Sequence, residues 1–228
     1  MAAVEQMQKS DPPPRKMPRD ARRQQLIEAT IETIARFGYS RTTLSEVART
    51  AGLSHGLVNF HFETKDRLLV ETLLFLAEEY RLNWTQAVEA AGPSASEQLH
   101  AMLAADFRPE LCTPGRLSAW CAFWGEAQGR PLYQENCGSN DEEYNRKLEA
   151  LCARMNAEHG YAVNVERTAR VLRVTTEGVW LDMMTLQQPY EPREALATLM
   201  TCTAAFFPRH FDAEGLLLPG AAAATQPG

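Results

Sequence analysis

Helical periodicity runs through nearly the whole chain, and no strand-like alternation or internal repeat stands out. The first stripe is Leu26, Ile27, Thr30, Ile31, Ile34 and Phe37, the i, i+3/i+4 spacing of a single buried face. It predicts a helix from Asp20 to Phe37 that Gly38 closes. Two much shorter segments follow. Thr43 is a good N-cap, with Glu46 three residues on to complete a capping box, and Val47, Ala48 and Ala51 give a small apolar stripe. Gly52 ends that helix, because glycine takes the left-handed conformation cheaply. Ser54 caps the next, in which Leu57, Val58, Phe60 and Phe62 read as apolar anchors. Two short helices joined by a tight Gly-containing turn are the sequence form of a helix-turn-helix. Their small residues let the helices cross closely enough for one to project into a DNA major groove.

A long helix starts at Lys65, with Asp66 in its first turn and Leu68, Leu69, Thr72, Leu73, Leu76 and Tyr80 facing inward. It runs to Ala90 or Ala91 and stops at Gly92-Pro93. One further helix spans Ser96 to Phe107, and Thr113-Pro114 opens another to about Gln128, since Pro is tolerated in a first turn. Pro131 opens a third, which the pattern interrupts near Cys137-Gly138-Ser139-Asn140 and resumes through Glu158, with Gly160 as its stop. Asn164 caps a helix from Val165 to about Gln187, and Pro192 opens the last, to Phe206 or Phe207. The predicted fold is all-α: a three-helix head over 20–66 on a helical bundle over 67–212, with a flexible Pro-rich arm at 1–19 and a disordered tail at 213–228. The last two helices are apolar on more than one face, through Val171, Val174, Val179, Leu181 and Met184 in one and Leu196, Leu199, Met200 and Phe207 in the other. Surplus apolar surface predicts a C2 dimer through these helices, the symmetry that a two-fold operator requires.

Composition narrows the function. No apolar run reaches the ~18 residues of a membrane span. The polar N-terminus lacks a signal-peptide core, so the expected location is the cytoplasm. Five cysteines, an odd number with no CxxC, fit reduced thiols better than a disulfide frame or a zinc site, and no metal or cofactor is expected. The net charge of -6 is unevenly spread: residues 1–70 hold 11 Lys and Arg against 8 Asp and Glu, the rest 12 against 21. A basic head on an acidic body is compatible with DNA binding, with Arg15, Lys16, Arg19, Arg22 and Arg23 as phosphate contacts or as a merely solvated tail.

The stretch AGLSHGLVNFHFETKDRLL resembles the TetR family of bacterial repressors through Ala51, Gly52, Ser54, Gly56, Phe62, Lys65 and Leu68, with Leu53 and Val58 conservative. It departs at Asn59 and His61, where the family usually has aromatics. With RRQQLIEATIETIARFGYSRTTL, the likeness covers about residues 20–70. The resemblance implies a recognition helix starting at Ser54, with His55, Gly56 and Asn59 on its base-facing side. Asn59 can then read adenine through its amide. Thr43, His61 and Lys65 are the implied phosphate contacts. The alternatives are a surface His61 that packs on Phe60 and a solvated Lys65.

In the body, Trp120, Phe123 and Trp124 are spaced i, i+3, i+4 and share a helix face. Such a face is commonly plain core. However, SAWCAFWGEA and EGVWLDMM resemble the regulatory domain of the choline-responsive BetI-type repressors within the same family, more loosely over about 95–210. That likeness implies a cage for a quaternary ammonium, with Trp120, Phe123, Trp124, Tyr133 and Trp180 as rings and Glu177 and Asp182 as counter-charges. Such a cation has no N–H donor, so recognition needs π faces and a carboxylate. Glu177 could instead pair with Arg173, and the ligand could instead be a polyamine, an aromatic or an acyl compound. An enzyme lacks support: no nucleotide loop, metal-ligand spacing or nucleophile motif is present, and Cys121 has no His or Asp partner to nominate. The expected partners are an operator duplex, a second copy of the chain and a small-molecule effector.

Overall fold

The computed structural model describes residues 18–127, 131–188 and 190–217; the side chains of 126, 127, 131–134 and 136 lie outside that description. The head is α1 (Arg19–Phe37), α2 (Leu44–Ala51) and α3 (His55–Phe62). Leu26, Val47, Val58 and Phe62 close its core with no solvent exposure. The caps read from the sequence are present. The Thr43 hydroxyl accepts from the Glu46 N–H at 3.2 Å, Gly52 sits at φ 66, and the Ser54 hydroxyl accepts from the Leu57 N–H at 3.3 Å. The capping box at Thr43 is only half formed, because the Glu46 carboxylate pairs with Arg49 instead. The γ-turn between α3 and the next helix puts Glu63 at φ 62, with the Thr64 N–H donating to the Phe62 carbonyl at 2.6 Å. Positive φ on a residue with a Cβ is strained.

The linker helix α4 (Lys65–Ala90) leads into the body: α5 (Ala95–Ala105), α6 (Pro114–Ala127), α7 (Pro131–His159), α8 (Val165–Thr185) and α9 (Pro192–Phe206). Helix α7 runs unbroken through 137–140, where the sequence predicts an interruption. Cys137, Tyr144, Leu148, Leu151 and Met155 form one buried stripe along it. Packing of that stripe outweighs the ~1 kcal/mol that an interior glycine costs. Residues just past 212 are also ordered: Phe211–Asp212 pairs antiparallel with Gly215–Leu216, and Phe211 is buried next to Phe207. Residues 218–228 lie outside the described residues. The five cysteines are free, and burial pushes the Cys112, Cys137 and Cys152 thiols up to about 12, so these stay protonated.

Helix α6 bridges the two halves. Arg116 grips Glu79 of α4 through Nε at 2.7 Å and Nη2 at 2.8 Å, and Nη2 also reaches Glu28 of α1 at 3.1 Å. Lower on the same helix, Phe123 meets Tyr39, in the α1–α2 connection, edge to face at 5.7 Å.

Candidate DNA-reading face and ligand cavity

On α3 the solvent side carries His55, Gly56, Asn59 and Phe60, following the exposed cap Ser54. Phe60 is 68% exposed, so it is a surface group and not the apolar anchor that the pattern suggests. The alternation of a short helix does not rank Leu57, Val58, Phe60 and Phe62, and the core takes only Val58 and Phe62 fully. Thr43 is exposed at the α2 N-terminus, where free N–H groups favour phosphate. His61 is 6% exposed and lies edge to face on Phe60 at 5.3 Å. Burial, then the charges of Arg19, Arg23 and Arg22, lower its pKa. The ring packs on Phe60 as the alternative has it, but it is buried and not a surface group, which leaves little of it for a phosphate. Lys65 donates to the Tyr39 and Ser40 carbonyls at 3.2 and 3.0 Å, bracing the α1–α2 connection instead of standing free for phosphate. Arg23 donates to the His61 carbonyl at 2.9 Å and pairs with Glu71, joining the ends of α1, α3 and α4. Arg15 and Lys16 lie outside the described residues.

In the body a half-enclosed cavity of about 60 Å³ opens among α4, α6, α7 and α8. Tyr80, Trp120, Trp124, Tyr144 and Trp180 wall it with π surface. Trp124 and Trp180 stand nearly parallel at 10°, with centroids 6.1 Å apart, and Tyr80 meets Trp180 edge to face at 5.8 Å. Glu177, Arg173 and Asp141 are the charged lining groups, and Arg173 pairs with Glu177 as the i-4 alternative anticipates. Behind the cavity lies Asp106, fully buried, accepting a hydrogen bond from the Tyr144 hydroxyl at 2.7 Å. The Trp180 indole donates to the Asp106 carbonyl at 3.1 Å. No group of metal-ligating side chains occurs among the described residues.

Known proteins share both parts. Residues 26–72 match the profile of the tetR family of bacterial regulatory proteins, and residues 95–208 match that of the C-terminal domain of BetI-type transcriptional repressors. The chain belongs to the TetR family. A curated relative, the HTH-type transcriptional regulator BetI of Paraburkholderia xenovorans, is 31% identical over 79% of this chain and 90% of its own length. The BetI of Burkholderia mallei is 30% identical over 78% and 89%. Among solved structures, a transcriptional regulator of Pseudomonas aeruginosa PAO1 superposes with TM-score 0.70 at 27% identity, covering 83% of this chain and 92% of that one. A regulator of Saccharomonospora viridis, solved in complex with choline, superposes with TM-score 0.67 at 18% identity, covering 84% and 98%. The protein is therefore a TetR-family transcriptional regulator with a BetI-type C-terminal domain, and not an enzyme.

Within this TetR-family body the predicted effector residues divide. Trp120, Trp124, Glu177 and Trp180 line one cavity. Phe123, three residues from Trp120, turns to the head instead. Asp182 is exposed and accepts a hydrogen bond from the Tyr190 hydroxyl at 2.9 Å, because two positions beyond Trp180 is nearly the opposite side of a helix. The Tyr133 side chain lies outside the described residues. Sequence reasoning missed Tyr80, Tyr144 and Asp106 as parts of this site. For Asp106 a signal exists: it is an acid set inside the apolar run Leu103-Ala104-Ala105-Asp106-Phe107.

Proposed function

We propose that this regulator is a homodimeric repressor that releases a two-fold operator when a choline-like quaternary ammonium enters the cavity. The observation that carries this reading is the set of five aromatic walls from four helices with Glu177 beside them. Each well-placed ring adds roughly 0.5–2 kcal/mol to the binding of a cation without N–H donors. The BetI relatives and the choline complex of the Saccharomonospora regulator support the same ligand class. In the head, Asn59 and His55 reach base edges from the major groove, and Thr43 and Ser54 contact phosphate. The dimer forms through α8 and α9. Val171, Val174, Gly178 and Leu181 stand exposed on α8 at alternating spacings of three and four, the repeat of a helix–helix seam. On α9 the small residues Thr198, Thr201 and Ala205 stand exposed, beyond the exposed Arg193 and Glu194 of its first turn. Such a protein works in the cytoplasm, where its operator lies.

Release follows from α6. Ligand pressing on Trp120 and Trp124 moves the helix whose Arg116 and Phe123 hold the head, and the two recognition helices leave their one-turn spacing. The test is fluorescence anisotropy on a labelled fragment from upstream of the protein's own gene and then from neighbouring promoters, with and without millimolar choline. Salt-sensitive, competitor-resistant binding that choline relieves is expected. Binding that choline leaves untouched removes the cation and keeps the repressor; no specific binding on any of these fragments removes the repressor. For a neutral or acyl ligand, Glu177→Gln leaves affinity unchanged, whereas a cation loses affinity.

A further inference from the structure

The cavity has one buried carboxyl to which the aromatic cage assigns no role. Asp106 follows the last turn of α5 and has no solvent exposure. Its Oδ2 is held by the Tyr144 hydroxyl, and its own carbonyl accepts from the Trp180 indole and from the Cys112 thiol at 3.3 Å. Oδ1 has no hydrogen-bond partner of good geometry among the described residues, although the Tyr80 hydroxyl lies near enough to favour the ionised acid. Tyr80, Tyr144 and Trp180 are all cavity walls, so this carboxyl stands one hydrogen bond behind the ligand space. A fully buried acid with an unsatisfied oxygen is costly, and folds keep one where it serves a purpose.

The charged and titratable groups around Asp106 can be named element by element. Tyr80 comes from α4 and Tyr144 from α7; burial first, then the Asp106 charge, pushes both phenols far up. Cys112, between α5 and α6, is pushed up to about 12 by the same two causes. Helix α8 presents Glu177 paired with Arg173, and α7 presents Asp141, all at the cavity. Arg108, two residues along, turns to Asn83 of α4 at 2.8 Å. Among the described residues no Lys, Arg or His is bonded to Asp106.

We infer that Asp106 is the charge partner of the bound cation: a quaternary ammonium entering the cage is balanced by ionisation of Asp106, and the carboxyl proton leaves to solvent. This rests on the cationic reading of the cavity. With the cavity empty, burial keeps the acid protonated up to about pH 7, its pKa raised to about 7 despite the Tyr144 and Tyr80 hydroxyls. A positive charge in the adjacent cavity pulls that value down. Choline affinity therefore falls about tenfold per pH unit below pH 7 and levels off above it. The repressor then senses its ligand only in a cell that is not acidified.

The test is isothermal titration calorimetry of the full chain with choline near pH 6 and near pH 8.5, each in two buffers of different ionisation heat. The wild type releases close to one proton per choline at the lower pH and almost none at the higher. Asp106→Asn, whose amide oxygen still accepts from Tyr144, releases none. It binds choline at least about tenfold more weakly than wild type at high pH, with no pH dependence. The neutral carbon analogue 3,3-dimethyl-1-butanol releases no proton from the wild type. Choline bound without proton release, or bound equally by both proteins at high pH, overturns the role of Asp106 and leaves the cation cage standing. Equal proton release by choline and its neutral analogue overturns the charge pairing. No choline binding at either pH overturns the cationic reading and this inference with it. The wild-type proton count decides even if the variant does not fold.

Discussion

Replacing Arg116 with Met should uncouple the ligand from the operator, at a moderate cost in stability. The side chain is 17% exposed and its fork spans two helices, with both Glu79 oxygens within 2.8 Å and Glu28 at 3.1 Å. Hydrogen bonds to charged groups contribute about 1.5–3 kcal/mol each when desolvated. Here Glu79 and Glu28 are open enough to recover water once freed, and Met keeps the packing of the stem. The net loss is then about 2 kcal/mol, or a fall in Tm of roughly 4–8 °C for a chain of this size. The larger effect is on coupling. An effector typically alters the affinity of a second site by about 1–3 kcal/mol, and the Arg116 fork is the polar joint through which α6 can pass that energy to α1 and α4. Operator anisotropy with and without choline measures the coupling factor, and quenching of the cage tryptophans measures choline affinity separately. Expected is near-normal choline affinity with the factor reduced toward one, and an intermediate value for Arg116→Lys, which keeps the charge but loses the fork. A wild-type coupling factor in a variant whose Tm has fallen would refute the role of α6 as the lever.

Further outcomes follow from single positions. Trp124→Ala, which removes one of the two parallel walls, should weaken choline by roughly tenfold in the same quenching titration. Asp106→Asn should change how stability depends on pH. The wild-type acid titrates from 3.8 unfolded to about 7 folded, so the unfolded chain sheds its proton first and stability is lost as pH rises between those values. Urea unfolding should therefore show the variant gaining on wild type across that window by up to ~4 kcal/mol, and parallel curves would count against it. Glu63→Gly should raise stability by roughly 0.5–1 kcal/mol, since it relieves the positive φ and loses only an exposed pair with Arg67. Val174→Glu, at a position 51% exposed in the single chain, should yield a folded monomer in sedimentation experiments.

The head was legible because its signals are local. Thr43, Gly52 and Ser54 each act on a backbone group within five residues, and each does so in the structure. The errors arise where a partner distant in sequence decides. Phe60 and Phe62 look alike in the pattern, but only Phe62 is buried, with the Arg23 guanidinium of α1 over its ring. Lys65 matches a family motif and His61 departs from it, yet the position of both depends on partners outside the motif: burial of the His61 ring beside Phe60 and the Tyr39 and Ser40 carbonyls on Lys65. Likewise Gly138 and Ser139 have weak helix propensity, and the buried stripe of α7 overrides it. The cavity draws single residues from positions 80, 120, 124, 144 and 180, so no window of the sequence contains it. Only two local units were visible, the Trp120 and Trp124 pair one turn apart and the Glu177 to Trp180 stretch.

The arrangement on α6 explains why one helix can serve both halves. Trp120 and Trp124 are i, i+4 and share the cavity side; Phe123 falls about 60° past Trp120, far enough round to meet Tyr39. Arg116, one turn before Trp120, reaches Glu28 of α1 and Glu79 of α4. A tilt of this helix by ligand at its cavity face therefore moves two head contacts at once, one polar and one aromatic. A tilt of α4 alone would have to bend a 26-residue rod whose inward stripe is buried from Leu68 to Val88. Close-packed interiors resist such continuous deformation. On the proposed mechanism the head would therefore follow α6, and the γ-turn at Glu63, where α3 meets α4, would be the joint that absorbs the difference.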